Sequence, residues 1–309
     1  MMRKILVILA SGIGNSILFG PTLKQLKSNK DYEIDIFAYK KQFAEPFVGS
    51  NLVNNIIYFE GFKTLFQLRK NKYDISITAF PSNKWQFNVF AFIVGAKKRI
   101  THSYNCSRIK TLSFLQNTKV LADETLHDVD QNIKLLSLLD ISVPKDKSLF
   151  FEVNKENEKY ANDFIKENKL KRKTLIGIHP GSGPILYKRT PKEHFIKKIN
   201  ELKVKNKVVL IFGGPEEKDV KNELKQELRE NSLIVDTSLK NTASLIKRCD
   251  YFITNDTGLM HIAVAMKKTK VISFFYGTNP VRAKPYSNSA ETIILRESIH
   301  KYPFWSTKV

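Results

Sequence analysis

A chain of 309 residues with 42% hydrophobic side chains can bury two cores, and none of its apolar runs approaches the roughly 18–20 residues of a membrane-spanning helix. Its 51 Lys and Arg against 30 Asp and Glu leave a formal charge of +21, which favours anionic partners, yet the basic residues are dispersed and match no standard nucleic-acid module. Cys106 and Cys249 lie far apart with no metal-ligand spacing, which argues against a disulfide framework and fits a reducing cytosol.

The first residues run from basic to apolar to small, as a signal peptide does. The apolar stretch is short, however, and leads straight into a Gly-containing turn, so it reads as a first strand. Strands are expected at 4–10, 33–39, 55–59 and 74–80, with helices at 16–27, 42–49, 62–71 and 85–95 between them. Such alternation implies a parallel sheet covered by helices on both faces. A helix at 123–139 closes this half, and the polar, Pro-containing segment 142–147 reads as a linker. The second half repeats the logic. Helices at 154–168, 191–204, 216–230, 242–248 and 258–267 alternate with strands at 174–179, 208–212, 233–235, 251–255 and 271–276. The expected fold is α/β, two Rossmann-like doubly wound domains at 1–145 and 146–309, with ligands at the carboxyl ends of the strands and a cleft between the domains.

Four loops that follow strands carry the chemistry. Gly12 and Gly14, in Ser11-Gly12-Ile13-Gly14-Asn15, permit a tight turn and close backbone approach, but the third glycine of a dinucleotide fingerprint is missing, so NAD is not expected. Asn15 either caps the following helix or points into the cleft. After the strand at 174–179 come Pro180-Gly181-Ser182-Gly183-Pro184 and then Tyr187-Lys188-Arg189-Thr190-Pro191, with Thr190 placed to cap a helix that Pro191 starts. Lys188 and Arg189 just before a helix N-terminus conflict with its dipole unless an anion joins them; otherwise they are solvated surface charges. In Gly213-Gly214-Pro215-Glu216-Glu217 a carboxylate can accept from ribose hydroxyls, or simply favour the helix start. Finally, Asn255-Asp256-Thr257-Gly258 leads from a strand into a helix with Leu259, Ile262, Ala263 and Met266 on one face. Free N–H groups and a positive dipole end make this a seat for phosphate, unless Asp256 or Thr257 merely caps the helix. Together with the turn at 276–280, these loops are placed to hold a diphosphate and a ribose.

The segments HPGSGPILYKRTPKEHF (179–195), FGGPEEKDV (212–220), DTSLKNTASLIKRCDYFITNDTGLMHIAVAM (236–266) and FYGTNPVRAKPYS (275–287), in that order, resemble the family-nine glycosyltransferases, whose best-known members are lipopolysaccharide heptosyltransferases. GIGNSILFGPTLKQLK (12–27), GAKKRI (95–100) and HDVDQNIKLLSLLDI (127–141) extend the resemblance over nearly the whole chain. It implies a GT-B fold with the acceptor on the first domain and the nucleotide-sugar donor on the second, and with the last ~15 residues returning to the first domain. It also implies an inverting transfer, without metal or cofactor, of heptose or a related sugar from a nucleotide diphosphate sugar, ADP-linked, to a cell-envelope glycan or glycolipid. By position, Lys188 would neutralise the leaving diphosphate, helped by the N–H groups of Thr257 and Gly258, with Ser182 nearby. Glu216 aligns with the ribose-binding acid, while Asp256 and His261 belong to the signature. His261 either reaches the cleft or is a structural histidine.

One departure bears on mechanism. The family's general base is an Asp that follows the glycine of the first loop, and here that position is Asn15, which cannot take up a proton at neutral pH. His127, Asp123 or Glu124 are the candidates to replace it; otherwise the transfer needs little base, or the chain is a catalytically silent nucleotide-sugar-binding module. The family's cysteine-rich tail is also absent, and 296–309 instead contains Tyr302-Pro303-Phe304-Trp305. The basic balance suits contact of a cytoplasmic protein with the anionic inner-membrane surface, through helices such as 62–72, or reflects lysine-rich codon usage.

Overall fold

The computed structural model describes residues 2–105, 108–183 and 185–297, so Cys106, Pro184 and the aromatic tail beyond 297 lie outside the described residues. The chain divides into two compact units, which meet in sequence between Glu152 and Val153, a short way beyond the polar linker.

In the first unit β1 (Arg3–Leu9), β2 (Tyr32–Ala38), β3 (Asn55–Tyr58), β4 (Ile75–Thr78), β5 (Lys98–Ser103) and β6 (Thr118–Leu121) form one parallel sheet in the order β3-β2-β1-β4-β5-β6. The central strand is apolar without alternation because both of its faces are covered; Ile5 to Leu9 are each at most 1% exposed. The helices are α1 (Ile13–Lys27), α2 (Lys41–Ala44), α3 (Phe62–Lys70), α4 (Trp85–Val94), α5 (Arg108–Thr111) and α6 (Asp128–Lys134). Leu65 and Leu68 of α3 and Phe87, Phe90 and Val94 of α4 pack with Leu6 and Ile8 in one core. The left-handed Gly95 ends α4, as glycine does where a Cβ would be strained.

The second unit repeats the plan. β7 (Thr174–His179), β8 (Lys207–Phe212), β9 (Ser232–Val235), β10 (Tyr251–Asn255), β11 (Lys270–Tyr276) and β12 (Glu291–Arg296) form a parallel sheet in the order β12-β11-β10-β7-β8-β9. Its helices are α7 (Lys155–Glu167), α8 (Lys192–Glu201), α9 (Lys218–Leu228), α10 (Leu239–Ile246), α11 (Gly258–Ala265) and α12 (Pro280–Ala283). Phe195 and Ile199 of α8 and Leu224 of α9 pack on Ile176, Ile178 and Ile211.

In each sheet the strand order reverses beside the first strand, between β1 and β4 and between β7 and β10. Loops leaving the two strands on either side of such a reversal diverge and open a crevice at their carboxyl ends. The glycine-bearing loop after β1 and the loops after β7 and β10 are therefore the places where the backbone of each unit leaves room for a ligand.

Three local expectations are corrected. The helix expected at 16–27 begins at Ile13, with Gly12 as its N-cap, so Asn15 lies inside the first turn and does not cap it. The helix expected at 123–139 is shorter: α6 starts at Asp128 behind an N-cap at His127 and passes into a 3-10 turn, Leu135–Leu139. Finally, α11 is not one-sided: its residues from Met260 to Ala265 are all buried, because it packs between the sheet and its neighbours instead of lying on the surface.

Candidate functional site

The second unit concentrates polar groups at its switch point. His179 ends β7, and its imidazole is buried. Nδ1 lies 3.0 Å from Thr257 Oγ1, just past β10, and Nε2 lies 3.2 Å from Glu217 Oε2, in the turn after β8. Glu217 also accepts from the backbone N–H groups of Gly214, at 2.9 Å, and Gly183, at 3.3 Å. Burial alone would push the Glu217 carboxyl up. The hydrogen bond and charge of His179, with those two N–H groups, outweigh it and hold the carboxyl down at about 2. One imidazole thus ties together the loops of three adjacent strands.

Asn255, the last residue of β10, completes the tie by donating from Nδ2 to the carbonyls of Pro180, at 2.8 Å, and Gly181, at 2.9 Å. Gly181 has to be glycine here, because a Cβ would fall 1.6 Å from Glu217 Oε1. The close approach of backbone and carboxylate is what lets the loop after β7 fold over the switch point.

Lys188 ends a short 3-10 turn, Leu186–Lys188, and its Nζ lies 3.3 Å from Asp256 Oδ2; both side chains are mostly buried. The preceding carbonyl of Tyr187 accepts from Arg296 Nη2 at 3.0 Å, while the Arg296 guanidinium stacks 4.2 Å from the Tyr276 ring centroid. That stack anchors the turn that presents Lys188. Thr257 is the N-cap of α11 but makes no side-chain cap bond, because its hydroxyl is engaged by His179. The free N–H groups at the start of α11 therefore remain available beside the Lys188–Asp256 pair.

Several buried polar atoms of the same loops have no hydrogen-bond partner among the described residues: Ser182 Oγ, Thr190 Oγ1, Asn255 Oδ1 and Thr278 Oγ1. A buried, unpaired polar group costs about 1–3 kcal/mol, so these four are candidates for hydrogen bonds to a bound polar ligand. Thr190 is not the expected helix cap; Pro191 occupies the N-cap of α8 and offers no side-chain bond. Below this region, Gly213, Gly214, Lys218, Lys221, Asp236 and Thr237 line a cavity of about 400 Å³ at the ends of β8 and β9.

The sequence-nominated residues are distributed as follows. Ser182, Lys188, Asp256, Thr257 and Gly258 come to the β7 and β10 ends. Glu216 is exposed, while its neighbour Glu217, which the sequence reading did not single out as the site acid, is the one buried in the network. His261 is 4% exposed within α11, so it is covered by protein. His179, the hub, opens the motif 179–195, but nothing in the sequence marks its side chain as turned inward.

In the first unit, Gly12, Gly14 and Asn15 stand at the switch point after β1. Asn15 Nδ2 donates to Ser11 Oγ at 3.2 Å. The substitute bases are poorly disposed. His127 spends Nδ1 on the backbone N–H of Val129, at 3.1 Å. The hydroxyl and N–H of Thr125 hold Asp123 below the usual carboxylate range, which weakens it as a base. Glu124 is half-buried in the same turn. Among the described residues, no cluster of His, Cys, Asp or Glu has metal-binding geometry, and no helix is long and apolar enough to cross a membrane.

Residues 62–304 match the profile of glycosyltransferase family 9 (heptosyltransferase). Over 301 residues the chain is 23% identical to lipooligosaccharide heptosyltransferase 2 of Campylobacter jejuni, covering 94% of this chain and 86% of the relative. Among solved structures, it resembles a family 9 glycosyl transferase from Veillonella parvula with a TM-score of 0.80 at 22% identity, over 95% of this chain and 85% of that one. It also resembles the ADP-heptose lps heptosyltransferase II of E. coli, with a TM-score of 0.76 at 23% identity, over 96% and 92%. These likenesses establish the two-domain GT-B fold.

Proposed function

We propose, from the premise that this chain belongs to glycosyltransferase family 9 and is a glycosyltransferase, that it moves heptose from ADP-heptose to a lipopolysaccharide or lipooligosaccharide core, with inversion and without a metal ion. The observation that carries the reading is the Lys188–Asp256 pair, 3.3 Å apart, set beside the start of α11 and the unpaired hydroxyls of Ser182 and Thr190. The names of the relatives support heptose and ADP; the place of action would be the cytoplasm.

In such a transfer an acceptor hydroxyl oxygen bonds to the anomeric carbon as the bond from that carbon to the diphosphate oxygen breaks. Negative charge grows on the diphosphate. Lys188 Nζ and the N–H groups of Thr257 and Gly258 are preorganised to take it up, which is the form of catalysis that lowers barriers most. Asp256 aims the ammonium before the donor arrives. Glu216, exposed at the turn beside the β8–β9 cavity, would accept from the ribose hydroxyls, and the cavity would take the base. The hydroxyl proton has no strong acceptor at Asn15, so the transition state here would be more dissociative, with bond breaking ahead of proton loss and the proton passing afterwards to solvent water or to the departing diphosphate.

A second reading rests on that same Asn15: a binding module that holds the nucleotide sugar without turning it over. Incubation with ADP-heptose and heptose-deficient lipopolysaccharide, with and without chelator, decides between them. Release of ADP matched by heptosylated acceptor of inverted anomeric configuration supports the transferase. Tight ADP-heptose binding with no product under any condition leaves the silent module.

A further inference from the structure

The outer layer of α3 and α4 has no counterpart in the catalytic reading. These helices lie side by side over one face of the first sheet, joined where Arg69 Nη1 donates to the Ile93 carbonyl at 3.0 Å and where the Phe62 and Phe90 rings meet at 6.4 Å. Their inward residues fill the core. Their outward residues are unusual. Phe62 and Phe66 are each 58% exposed, Trp85 is 50% exposed and Phe92 48%.

Four large aromatic side chains in water on one two-helix layer are not needed for the fold, since the core beneath is already closed. The charges among them have a single sign. Neither α3 nor α4 contains an Asp or Glu, and Lys63, Lys70 and Lys84 are exposed on the same layer. From 61 to 122 the only acidic residue is Asp74, and it is paired with Lys97 at 2.8 Å. Aromatic rings that insert at the headgroup level, flanked by Lys and Arg, are the physical signature of a surface that lies on an anionic bilayer.

We propose that the α3–α4 face of the first unit docks on the headgroup region of an anionic phospholipid membrane, with Phe62, Phe66 and Trp85 inserted and Lys63, Lys70 and Lys84 against lipid phosphates. Charge complementarity selects this occupant over a second copy of the chain, because two such faces would bring lysines against lysines. Lipid is selected over nucleic acid because half-buried Val89 and Ile93 follow Trp85 along α4 at i+4 spacing, so the exposed rings continue into an aliphatic row suited to insertion rather than to base stacking.

The test is co-sedimentation of the full chain with vesicles of phosphatidylcholine alone and with about 30% phosphatidylglycerol, at low and high salt. Binding should be at least about tenfold stronger to the anionic vesicles and should weaken with salt. It should fall at least about tenfold in a Phe62→Ser/Phe66→Ser/Trp85→Ser variant and, independently, in Lys63→Glu/Lys70→Glu. Intact ADP affinity in both variants shows that they are folded. Retention of both variants on anionic vesicles, equal binding to neutral vesicles, no vesicle binding, or binding of poly(U) RNA in place of vesicles would each overturn the proposal.

Discussion

His179 and Glu217 hold each other at 3.2 Å, imidazole Nε2 to carboxylate Oε2, in a part of the second unit closed to solvent. Because the other ring nitrogen reaches Thr257, the pair fixes where this N-cap residue of α11 can sit. The carboxyl, held at about 2 against an ordinary value of 4.5, is ionised more readily in the folded chain than in the unfolded one. A lowered carboxyl contributes stability that is fully present above about 4.5 and is lost as the pH falls toward about 2. Glu217→Gln should therefore be less stable than wild type by on the order of 2 kcal/mol at pH 7. That gap should close as the pH is lowered, because the protonated glutamate comes to resemble glutamine. Urea unfolding of both proteins across this range checks it, and a gap independent of pH would mean that His179 does not sustain the charge.

How much of this was legible in the sequence depends on whether the signal was local. The central strands, such as β1, β7 and β10, announce themselves as apolar runs because both sheet faces are covered. β5, β6 and β12 do not: KRITHS, TKVL and ETIILR mix polar with apolar residues in the outer part of each sheet, and their pairing depends on the whole topology. The loops of the site were readable because Gly, Pro, Asn and Asp cluster where strands end. The choice between Glu216 and Glu217 was not, since it turns on the register of the 3-10 turn Pro215–Glu217 against His179, which is remote in sequence. Asn15 departs from the family pattern in the sequence itself, but its place inside α1 depends on the helix beginning at Ile13, three residues before the sequence pattern suggests.

A change at Gly181 tests the packing of the same network. An alanine Cβ there would strike Glu217 at 1.6 Å from Oε1 and 1.9 Å from the carboxyl carbon, so the carboxylate must leave its bonds or the loop must move. Gly181→Ala should cost roughly 1–3 kcal/mol of stability and weaken nucleotide binding with it. In a Glu217→Ala background the same change should cost much less, because the atoms it strikes are gone. Thermal unfolding of the four proteins of this cycle measures the coupling; simple additivity would show that the loop already has room.

Lys188 should matter to the donor more than to the fold. A charge-assisted contact to a diphosphate contributes roughly ten- to a hundredfold in affinity, so Lys188→Ala should weaken ADP binding by that order in calorimetric titrations. Lys188→Arg should recover only part, since a planar guanidinium cannot occupy the point held by the ammonium 3.3 Å from Asp256 Oδ2. Unchanged ADP affinity in Lys188→Ala would move the diphosphate away from the β7 and β10 ends.

Asn15 offers the sharpest test of the acceptor side. It lies in the first turn of α1, where a carboxylate is favoured by the helix dipole, so Asn15→Asp should fold as well as wild type. A base placed beside the acceptor hydroxyl typically contributes on the order of a hundredfold or more. The same dipole lowers the basicity of the new carboxylate, so the gain in kcat should fall at the low end, about tenfold. The pH–rate profile should acquire an acidic limb that wild type lacks, with ADP affinity unchanged. If Asn15→Asp instead slows turnover without adding that limb, then the Asn15 amide, which now donates to Ser11 Oγ at 3.2 Å, serves the site as a hydrogen-bond donor and the acceptor hydroxyl loses its proton elsewhere.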